Sequence, residues 1–281
     1  MESRYGQDLS AYEKYLTEKN DCIVCGSSDF VLWAKVMPFK AVKCRVCGFV
    51  WMNPHPNNDG LNKYYNNHIK RRMAKTNKGL LRQVQYQIDK GFMERFVDRG
   101  KVLDVGCSGG FFLDTLSSKF NKYGIEIDPE AARYANQHYG FNVTCGKIED
   151  YEGEFDVVVM RGVIEHFPNP GEVMSNVYGL LKKGGWLYIA ATPDVSSFCA
   201  DIYRENWSHF HPIEHLSYFS VPTLTRFLSD LKYVAHHHPY IETPYQDIEN
   251  DYRLVKKACK GKKGISPAFW GNMMNVVYRR L

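Results

Sequence analysis

The feature that most restricts the fold of this chain is a regular alternation of short apolar runs and helical patterns, which starts at residue 101. The apolar runs have the length of buried strands and are Val102–Val105, Lys122–Ile127, Asn142–Cys145, Phe155–Met160 and Trp186–Ala191. The helical patterns extend to about Lys119, to about His138, over Pro170–Lys183 and over Val221–Leu231. Two candidate final strands are Tyr233–Tyr240 and Met273–Arg279. Such alternation predicts an α/β fold with a doubly wound, mostly parallel sheet.

The turn after the first predicted strand is rich in small residues and extends from Asp104 to Phe111. Small residues let the backbone approach a ligand, and the following helix offers unpaired N–H groups. Ser108 replaces the second glycine of the dinucleotide-binding pattern, so that pattern is absent. Glu126 lies near the end of the next strand, where a carboxylate can accept both ribose hydroxyls. The combination predicts an adenosine-type ligand, and the alternative for Glu126 is a solvated strand-end carboxylate.

Three stretches, VLDVGCSGGFFLDTL, GIEIDPEAARYA and FDVVVMRGVIEHF, resemble the class I S-adenosylmethionine (SAM) dependent methyltransferases. The resemblance covers about residues 80–235. It implies a seven-stranded, Rossmann-like sheet in which Met273–Arg279 is an antiparallel strand at the edge. It also implies methyl transfer from SAM, which carries its own leaving group, so the protein must align the acceptor with the methyl group and exclude water.

The same resemblance implies which residues bind SAM. The first turn would line the methionine part, the carboxylate after the second strand would hold the ribose, and residues after the second and third strands would flank the adenine. Arg161, just past the fourth strand, would face the sulfonium and the incoming substrate. Lys147 stands where many relatives have an aspartate, which argues against adenine recognition through that side chain. The predicted cofactor-binding residues are Asp104, Gly106, Ser108, Gly110, Glu126, Ile127, Ile148, Glu149 and Arg161.

Two histidine-bearing segments lie where the substrate is expected. Glu165 and His166 follow the fourth strand, and His166 is interpreted either as a general base or as part of a structural closure over SAM. The second segment, Trp207–Phe219, holds three histidines and a carboxylate among aromatic residues, in a stretch expected to cover the pocket. Its spacing matches no compact zinc pattern, so a general base is the preferred interpretation. The predicted catalytic residues are His215, His166 and Glu214.

Four of the eight cysteines form two C-x-x-C pairs, Cys22 with Cys25 and Cys44 with Cys47, and a glycine follows each pair. Without a secretion signal, such pairs predict metal ligation rather than disulfides. Two such knuckles complete a tetrahedral Zn²⁺ site, and four thiolates leave no open position, so a structural zinc ribbon is predicted. Phe30–Val36, together with Val42, would form its small hairpin.

The N-terminal module extends the resemblance to bacterial methyltransferases of sugar and surface-polysaccharide pathways. The residues that carry it are the zinc ribbon, Val50–Pro54 and the pair Tyr64 and Tyr65, which would help to close the substrate side or would pack in the core. Relatives that methylate sugar carbons have a tyrosine two residues before the glutamate that matches Glu214. Pro212 occupies that position here, which favours O- or N-methylation over C-methylation.

These patterns divide the chain into three parts: residues 1–57 with the zinc ribbon, residues 58–100 as a helical linker or lid, and residues 101–281 as the SAM-binding domain. A substrate lid is expected at about residues 195–220, and helical spacing over Leu61–Ile69 and Leu80–Val97 supports the middle part. No basic and then apolar leader opens the chain, and no apolar run is long enough to form a membrane helix. A cytoplasmic protein without membrane insertion is therefore expected.

The net charge of +5 consists of basic ends around an acidic middle. This distribution indicates either an anionic substrate or simply a solvated surface. The first functional hypothesis is therefore a methyltransferase for a small, anionic, sugar-type acceptor, such as a sugar, a nucleotide-sugar or a polysaccharide precursor.

Two other hypotheses belong to different classes. An rRNA or tRNA methyltransferase would bind phosphates with its ribbon and a basic tail, although a net charge of +5 is modest and exposed aromatic residues do not interleave with the basic ones. A non-catalytic zinc-binding adaptor is opposed by the intact Gly106, Gly110, Glu126 and Glu165. The residues of the basic tail are Lys256, Lys257, Lys260, Lys262 and Lys263.

Overall fold

The computed structural model describes residues 8–72, 79–239, 247–261 and 264–281. Its strands, β1 to β13 in chain order, are Leu16–Thr17, Phe30–Val36, Phe39–Cys44, Val50–Met52, His55–Pro56, Gly100–Val105, Phe120–Glu126, Asn142–Cys145, Phe155–Arg161, Leu181–Pro193, Ser217–Tyr218, Lys232–His237 and Met273–Arg279. Its α-helices, α1 to α8, are Asn58–Arg72, Gly79–Met93, Phe111–Thr115, Pro129–Tyr139, Pro170–Leu180, Phe198–Tyr203, Val221–Phe227 and Ile248–Cys259. Short 3-10 helices cover Leu9–Tyr15, Ile148–Asp150, Ile164–His166 and Arg204–Asn206.

The centre of the fold is a seven-stranded sheet with the strand order β12-β13-β10-β9-β6-β7-β8. The five strands from β10 to β8 are parallel, and β13 runs antiparallel to both β10 and β12. Val157, Val158 and Val159 of β9 are all completely buried, because both faces of a parallel sheet are covered. The seven-stranded, mostly parallel, Rossmann-like sheet predicted from the sequence is confirmed.

Several helix ends differ from the sequence prediction. The helix after the first strand ends at Thr115 rather than near Lys119. Helix α5 ends at Leu180, and β10 begins at once, so the prediction of a helix through Lys183 is wrong. The pair Gly184 and Gly185, which directly follows the predicted helix, lies in a register shift of β10 against β9. A Cβ at Gly185 would lie 2.8 Å from the Lys182 carbonyl oxygen, so the glycine permits that irregularity.

Helix α8 has no counterpart in the sequence prediction, which treated this region only as a basic tail. It buries Val255 and Ala258 in the same apolar cluster as Cys199 and Ala200 of α6. Lys256 and Lys257 lie exposed on this helix, and Lys260 follows it. Lys262 and Lys263, and Tyr240 at the end of a predicted strand, lie outside the described residues.

A second sheet has four strands in the order β11-β4-β3-β2. The hairpin predicted between the cysteine pairs is β2 and β3. Strand β11 comes from the predicted substrate lid and pairs antiparallel with β4, placing Ser217 opposite Trp51. The N-terminal module and the lid are therefore joined by main-chain hydrogen bonds. The three-part division of the chain stays a prediction.

Aromatic side chains fill the junction between this second sheet and the central one. Phe49 stacks on Trp51 at an interplanar angle of 10°, and it also packs against Phe219. Both belong to a buried cluster that includes Leu103 of β6 and Val158 of β9. Burial of this apolar surface holds the cysteine module against the central sheet. Within the described residues, no helix is both long enough and apolar enough to cross a membrane.

Candidate active site

The turn after β6 has a backbone that leaves room for a ligand. Gly106 and Gly110 have φ angles of +72° and +79°, which L side chains rarely adopt. A Cβ at Gly106 would lie 2.9 Å from Cγ2 of Val163, so substitution there would displace the turn after β9. Ser108 also has a positive φ, of 50°. The turn places the first N–H groups of α3 at the carboxyl edge of the sheet, where ligands of such folds bind.

Glu126 ends β7 beside this turn and is held by two backbone amides. Its Oε2 accepts a hydrogen bond from Ser108 N at 2.7 Å, and its Oε1 accepts one from Asp128 N at 2.9 Å. The carboxylate is thus oriented by the protein alone. Ile127, the next residue, has 56% of its surface exposed at this edge. Ile148 is buried and Glu149 is exposed in the short helix that follows β8.

Asp104 and Arg161 lie close enough to influence each other electrostatically near the same edge. Asp104 is only 2% exposed, and its Oδ1 has no hydrogen-bond partner among the described residues. Burial raises the pKa of Asp104 to about 8, although the nearby Arg161 opposes the shift and Glu126 adds to it. The Nη2 atom of Arg161 is likewise buried with no partner in the described chain. Buried polar atoms are usually hydrogen-bonded, so Asp104 Oδ1 and Arg161 Nη2 are candidate contacts for a polar ligand.

Arg161 is held in place by Asp89, a residue that the sequence analysis did not identify. Arg161 Nε lies 2.8 Å from Asp89 Oδ2, and the guanidinium stacks over the Tyr86 ring at 4.3 Å. Asp89 is completely buried, and burial raises its pKa against the opposing effect of Arg161. The sequence does hold a signal for Asp89, because this residue lies among the apolar residues of the predicted helix Leu80–Val97. A charged residue on a buried helix face requires a partner.

Asn275 of β13 completes this network. Its Nδ2 donates to Asp89 Oδ1 at 2.7 Å, and its Oδ1 accepts from Ala191 N at 2.8 Å. Ala191 has a positive φ of 51° and lies in the register shift of β10 against β13. The hydroxyl of Tyr188 donates to the Asp89 carbonyl oxygen at 2.8 Å. Helix α2 is thereby joined to β9, β10 and β13 at the edge where the acceptor is expected.

The three residues predicted to be catalytic come together on the acceptor side. His166 lies in the short helix after β9, and its ring is 4.8 Å from the ring of His215 at an interplanar angle of 84°. His215 Nδ1 lies 2.9 Å from the His209 carbonyl oxygen, so this nitrogen carries the proton and Nε2 keeps its lone pair. Glu214 Oε1 lies 3.6 Å from Nδ1 of His211. Their roles in catalysis stay predictions.

Glu165 and Tyr65 extend the same cluster. Glu165 is 2% exposed, and burial raises the pKa of its carboxyl group to about 8. The Thr192 hydroxyl donates to its Oε2 at 3.3 Å. The hydroxyl of Tyr65, in helix α1, lies 3.4 Å from His166 Nδ1. Tyr64 is buried in the same apolar cluster as residues of the lid.

The four paired cysteines form a second, separate cluster. Cys22 and Cys47 have their sulfur atoms 3.5 Å apart, as do Cys25 and Cys44, and all four atoms lie within 4.8 Å of one another. Burial of Cys44 opposes ionisation, but hydrogen bonds from backbone amides of Cys47 and Val46 lower the pKa of its thiol to about 7. Tetrahedral zinc with bonds of about 2.3 Å would place the sulfur atoms about 3.8 Å apart. The donor set therefore fits zinc.

Comparison with known proteins agrees with this geometry. Among solved structures, a SAM-dependent methyltransferase from Thermotoga maritima, described as a possible histamine N-methyltransferase, superposes with a TM-score of 0.55 at 18% identity. That match covers 79% of this chain and 99% of the other. Magnesium protoporphyrin IX methyltransferase from Synechocystis with bound SAH gives a TM-score of 0.51 at 11% identity, covering 71% and 84%.

Curated relatives match over a shorter stretch. Ubiquinone biosynthesis O-methyltransferases from Thiobacillus denitrificans and Burkholderia cenocepacia are 34% and 30% identical over 103 residues. Each alignment covers 32% of this chain and 43% of the relative, so the chain spans less than half the length of these proteins. A family model described as a methyltransferase domain matches residues 65–238. The chain therefore belongs to the methyltransferase-domain family and has the class I fold of SAM-dependent methyltransferases.

Proposed function

We propose that the protein transfers the methyl group of SAM to a hydroxyl oxygen of a small-molecule acceptor. The observation that carries this proposal is the histidine and carboxylate cluster of His166, His215 and Glu214 near the half-buried Arg161. An oxygen nucleophile must lose its proton, and such a cluster offers groups that can bind the oxygen and take the proton. The name of the O-methyltransferase relatives supports oxygen as the acceptor atom.

SAM is proposed to lie along the carboxyl edge of β6, β7 and β8. The backbone of Gly106, Ser108 and Gly110 would follow the methionine part, and the oriented carboxylate of Glu126 would accept both ribose hydroxyls. The side chains of Asp104 and Arg161 would meet the ammonium and carboxylate of the methionine part, which supplies the missing polar partners. The residues proposed to flank the adenine are Ile127, Ile148 and Glu149.

In the reaction the acceptor oxygen attacks the methyl carbon in line with the sulfonium. The bond from carbon to sulfur breaks, its electrons stay on sulfur as SAH forms, and the acceptor proton leaves. His166 and His215 would line the position of the acceptor oxygen, and the pair of Glu214 and His211 would carry the proton towards solvent. The short distances among these side chains favour this arrangement, because alignment and exclusion of water provide most of the catalysis in such transfers.

The identity of the acceptor is tested with SAM labelled on its methyl group. The proposed acceptors are sugar derivatives and nucleotide-sugars, and the second candidate class is phenolic hydroxyl compounds, favoured by the names of the curated relatives. We expect labelled methyl ethers from at least one class, with an equal yield of SAH. Label that enters only RNA, with binding that weakens steeply as salt rises, would overturn the proposal in favour of nucleic-acid methylation.

Replacement of His215 by asparagine is expected to lower turnover by about tenfold or more, because an interaction with the acceptor oxygen is lost. The dissociation constant for SAM is expected to stay the same, because the SAM-binding residues are untouched. Steady-state kinetics and calorimetric titration with SAM measure the two quantities. His138→Asn, at an exposed position on α4, is the matched control. Unchanged turnover in the His215 variant would remove this residue from the mechanism.

Replacement of Glu126 by glutamine is expected to weaken SAM binding by about 10- to 100-fold. Hydrogen bonds to a charged group contribute about 1.5–3 kcal/mol, and the amide can no longer accept from both ribose hydroxyls as the carboxylate does. Calorimetric titration measures the dissociation constant. Glu130→Gln changes an exposed carboxylate on α4 and is the control. Equal affinity in both variants would contradict the placement of the ribose.

Binding of SAM is expected to release a proton near pH 7. Burial raises the pKa of Asp104 to about 8, so the carboxyl group is mostly protonated at this pH in the free protein. The SAM ammonium favours the charged carboxylate and displaces the proton, so affinity should rise with pH and level off above about 8. Calorimetry in buffers of different ionisation enthalpy measures the release. The Asp104→Asn variant should release no proton when it binds SAM. If the wild-type protein also releases none, a contact between Asp104 and the SAM ammonium is ruled out.

The four clustered cysteines are proposed to hold a structural zinc ion. Four thiolates close the coordination sphere, so the ion would stabilise the fold without taking part in methyl transfer. Cys22 and Cys44 belong to the same buried cluster as Leu103 of the central sheet. The proposed ion would therefore stabilise the module from within and, through it, the packing of the second sheet.

A further inference from the structure

The acceptor side carries a second group of potential metal ligands, apart from the cysteines. One carboxylate oxygen of Glu165 and one ring nitrogen each of His166 and His215 lie within 4.8 Å of one another. Glu165 and His166 are neighbours in the short helix after β9, whereas His215 comes from the lid. Two imidazoles and one carboxylate in this arrangement can occupy one side of a metal ion and leave the remaining positions open.

The backbone fixes the position of these three side chains. Leu216 N donates to the Glu165 carbonyl oxygen at 2.8 Å, which joins the lid to the short helix beside two of the ligands. His215 donates from Nδ1 to the His209 carbonyl oxygen, so its Nε2 has a lone pair and a fixed direction. Histidines that bind metals commonly have their other nitrogen bound in this way, which sets both the tautomer and the ring orientation.

The ligand atoms of the cluster also suit a cation. Glu165 is buried, and one of its carboxyl oxygens lies near the ring nitrogens of His166 and His215. All three atoms have lone pairs that a divalent cation can bind. Oxygen and imidazole ligands together suit manganese, iron, cobalt, nickel or zinc better than calcium. Arg161 is close enough to Glu165 to influence it, so the cluster lies beside the residue proposed to contact the methionine part of SAM.

We propose that Glu165, His166 and His215 bind one divalent transition-metal ion, which takes the acceptor hydroxyl oxygen at an open position. This inference rests on the proposed function, because it states how the cluster would activate the acceptor. The bound cation stabilises the negative charge of the deprotonated oxygen. The proton passes through the pair of Glu214 and His211 to solvent before or during attack on the methyl carbon, and the metal keeps its oxidation state throughout.

The test uses Mn²⁺ alone as the probe, added to the whole 281-residue chain. The chain is first dialysed against a weak chelator that leaves the zinc of the cysteine module in place, as checked by metal analysis, and is then saturated with SAH. Loss of the free Mn²⁺ signal in electron paramagnetic resonance measures binding. We expect one Mn²⁺ per chain, with affinity weakened by about tenfold or more in Glu165→Gln and His166→Asn. His138→Asn is the control that keeps wild-type affinity. SAH binding by each variant, measured by calorimetry, shows that the fold and the cofactor site persist.

Activity provides the second measurement. Chelator treatment that leaves the zinc of the cysteine module in place, as checked by metal analysis, should lower methyl transfer of the wild-type protein, and added Mn²⁺ should restore it. Absence of Mn²⁺ binding, or equal binding in wild type and in both ligand variants, would overturn the metal site. Methyl transfer that continues unchanged in excess chelator would overturn it too, while leaving the proposed O-methyltransferase intact. If Mn²⁺ binds as expected but no hydroxyl acceptor is methylated, the proposed function fails and the metal site stands.

Discussion

Replacement of Cys44 by serine is expected to unfold the N-terminal module and to abolish methyl transfer, although this residue lies outside the SAM site. The zinc-binding free energy of small zinc modules, about 10–16 kcal/mol, is largely folding free energy, so loss of one thiolate removes a major part of it. Cys44 ends β3, and β4 lies next to it in the same sheet.

The damage is expected to reach the acceptor side through a short series of backbone hydrogen bonds. Met52 N donates to the Leu216 carbonyl oxygen at 3.0 Å, and Leu216 N donates to the Glu165 carbonyl oxygen at 2.8 Å. His215 immediately precedes this junction. Disorder of β4 therefore removes the support of both Glu165 and His215.

The Cys44 variant is expected to lose zinc, thermal stability and activity. Metal analysis, thermal unfolding and steady-state kinetics measure these three losses. Cys259→Ser, which changes an exposed cysteine at the end of α8, is the control and should retain all three properties. A Cys44 variant that lacks zinc yet has wild-type turnover and an unchanged Tm would show that the ribbon does not support the active site.

Replacement of Asp89 by alanine is expected to have the second large effect, a loss of about 3–5 kcal/mol in the free energy of unfolding. Removal of one partner from a buried ion pair leaves the other charge without compensation. The guanidinium of Arg161 and the amide of Asn275 would both lose the acceptor that Asp89 provides. Arg161 would also lose its orientation, so SAM affinity should fall together with stability.

Guanidinium-induced unfolding and calorimetric titration with SAM measure these two effects. Asp98→Ala is the matched control, because Asp98 pairs with Arg99 and Lys119 at the surface, where such pairs contribute about 0–1 kcal/mol. Asp89→Asn keeps two hydrogen-bonding groups and should have an intermediate stability. Equal stability of the Asp89→Ala and Asp98→Ala variants would exclude a supporting role for this network.

The sequence predicted the elements of the central sheet well because the signals are local. The strand over Phe155–Arg161 contains the unbroken apolar stretch Val157–Met160, as expected where both sheet faces are buried. Pro129 follows the capping residue Asp128 at the start of α4. Helix ends were less predictable. The pair Gly184 and Gly185 has the composition of a helix stop, yet the strand had already begun at Leu181.

The sequence also identified residues of the candidate site that lie at strand ends, such as Glu126 and His166. It did not identify interactions between distant parts of the chain. Asp89 and Asn275 form one hydrogen bond although 186 residues separate them. The pairing of Ser217 with Trp51 likewise depends on how the lid returns to the N-terminal module. No local sequence pattern predicts these contacts, because each of these residue types is common in the kind of segment where it lies.

The strand β11 has a consequence for any attempt to recombine this protein with a relative. The cysteine module supplies three strands of the second sheet and the lid supplies the fourth, so a crossover placed between them would separate paired backbones. A transplanted module would have an unpaired strand edge at Val50–Met52. A transplanted lid would contain His215 but would lack the strand pairing with β4 that holds the adjacent backbone in place. The two segments are thus expected to be inherited as one unit, although more than 150 residues of chain lie between them.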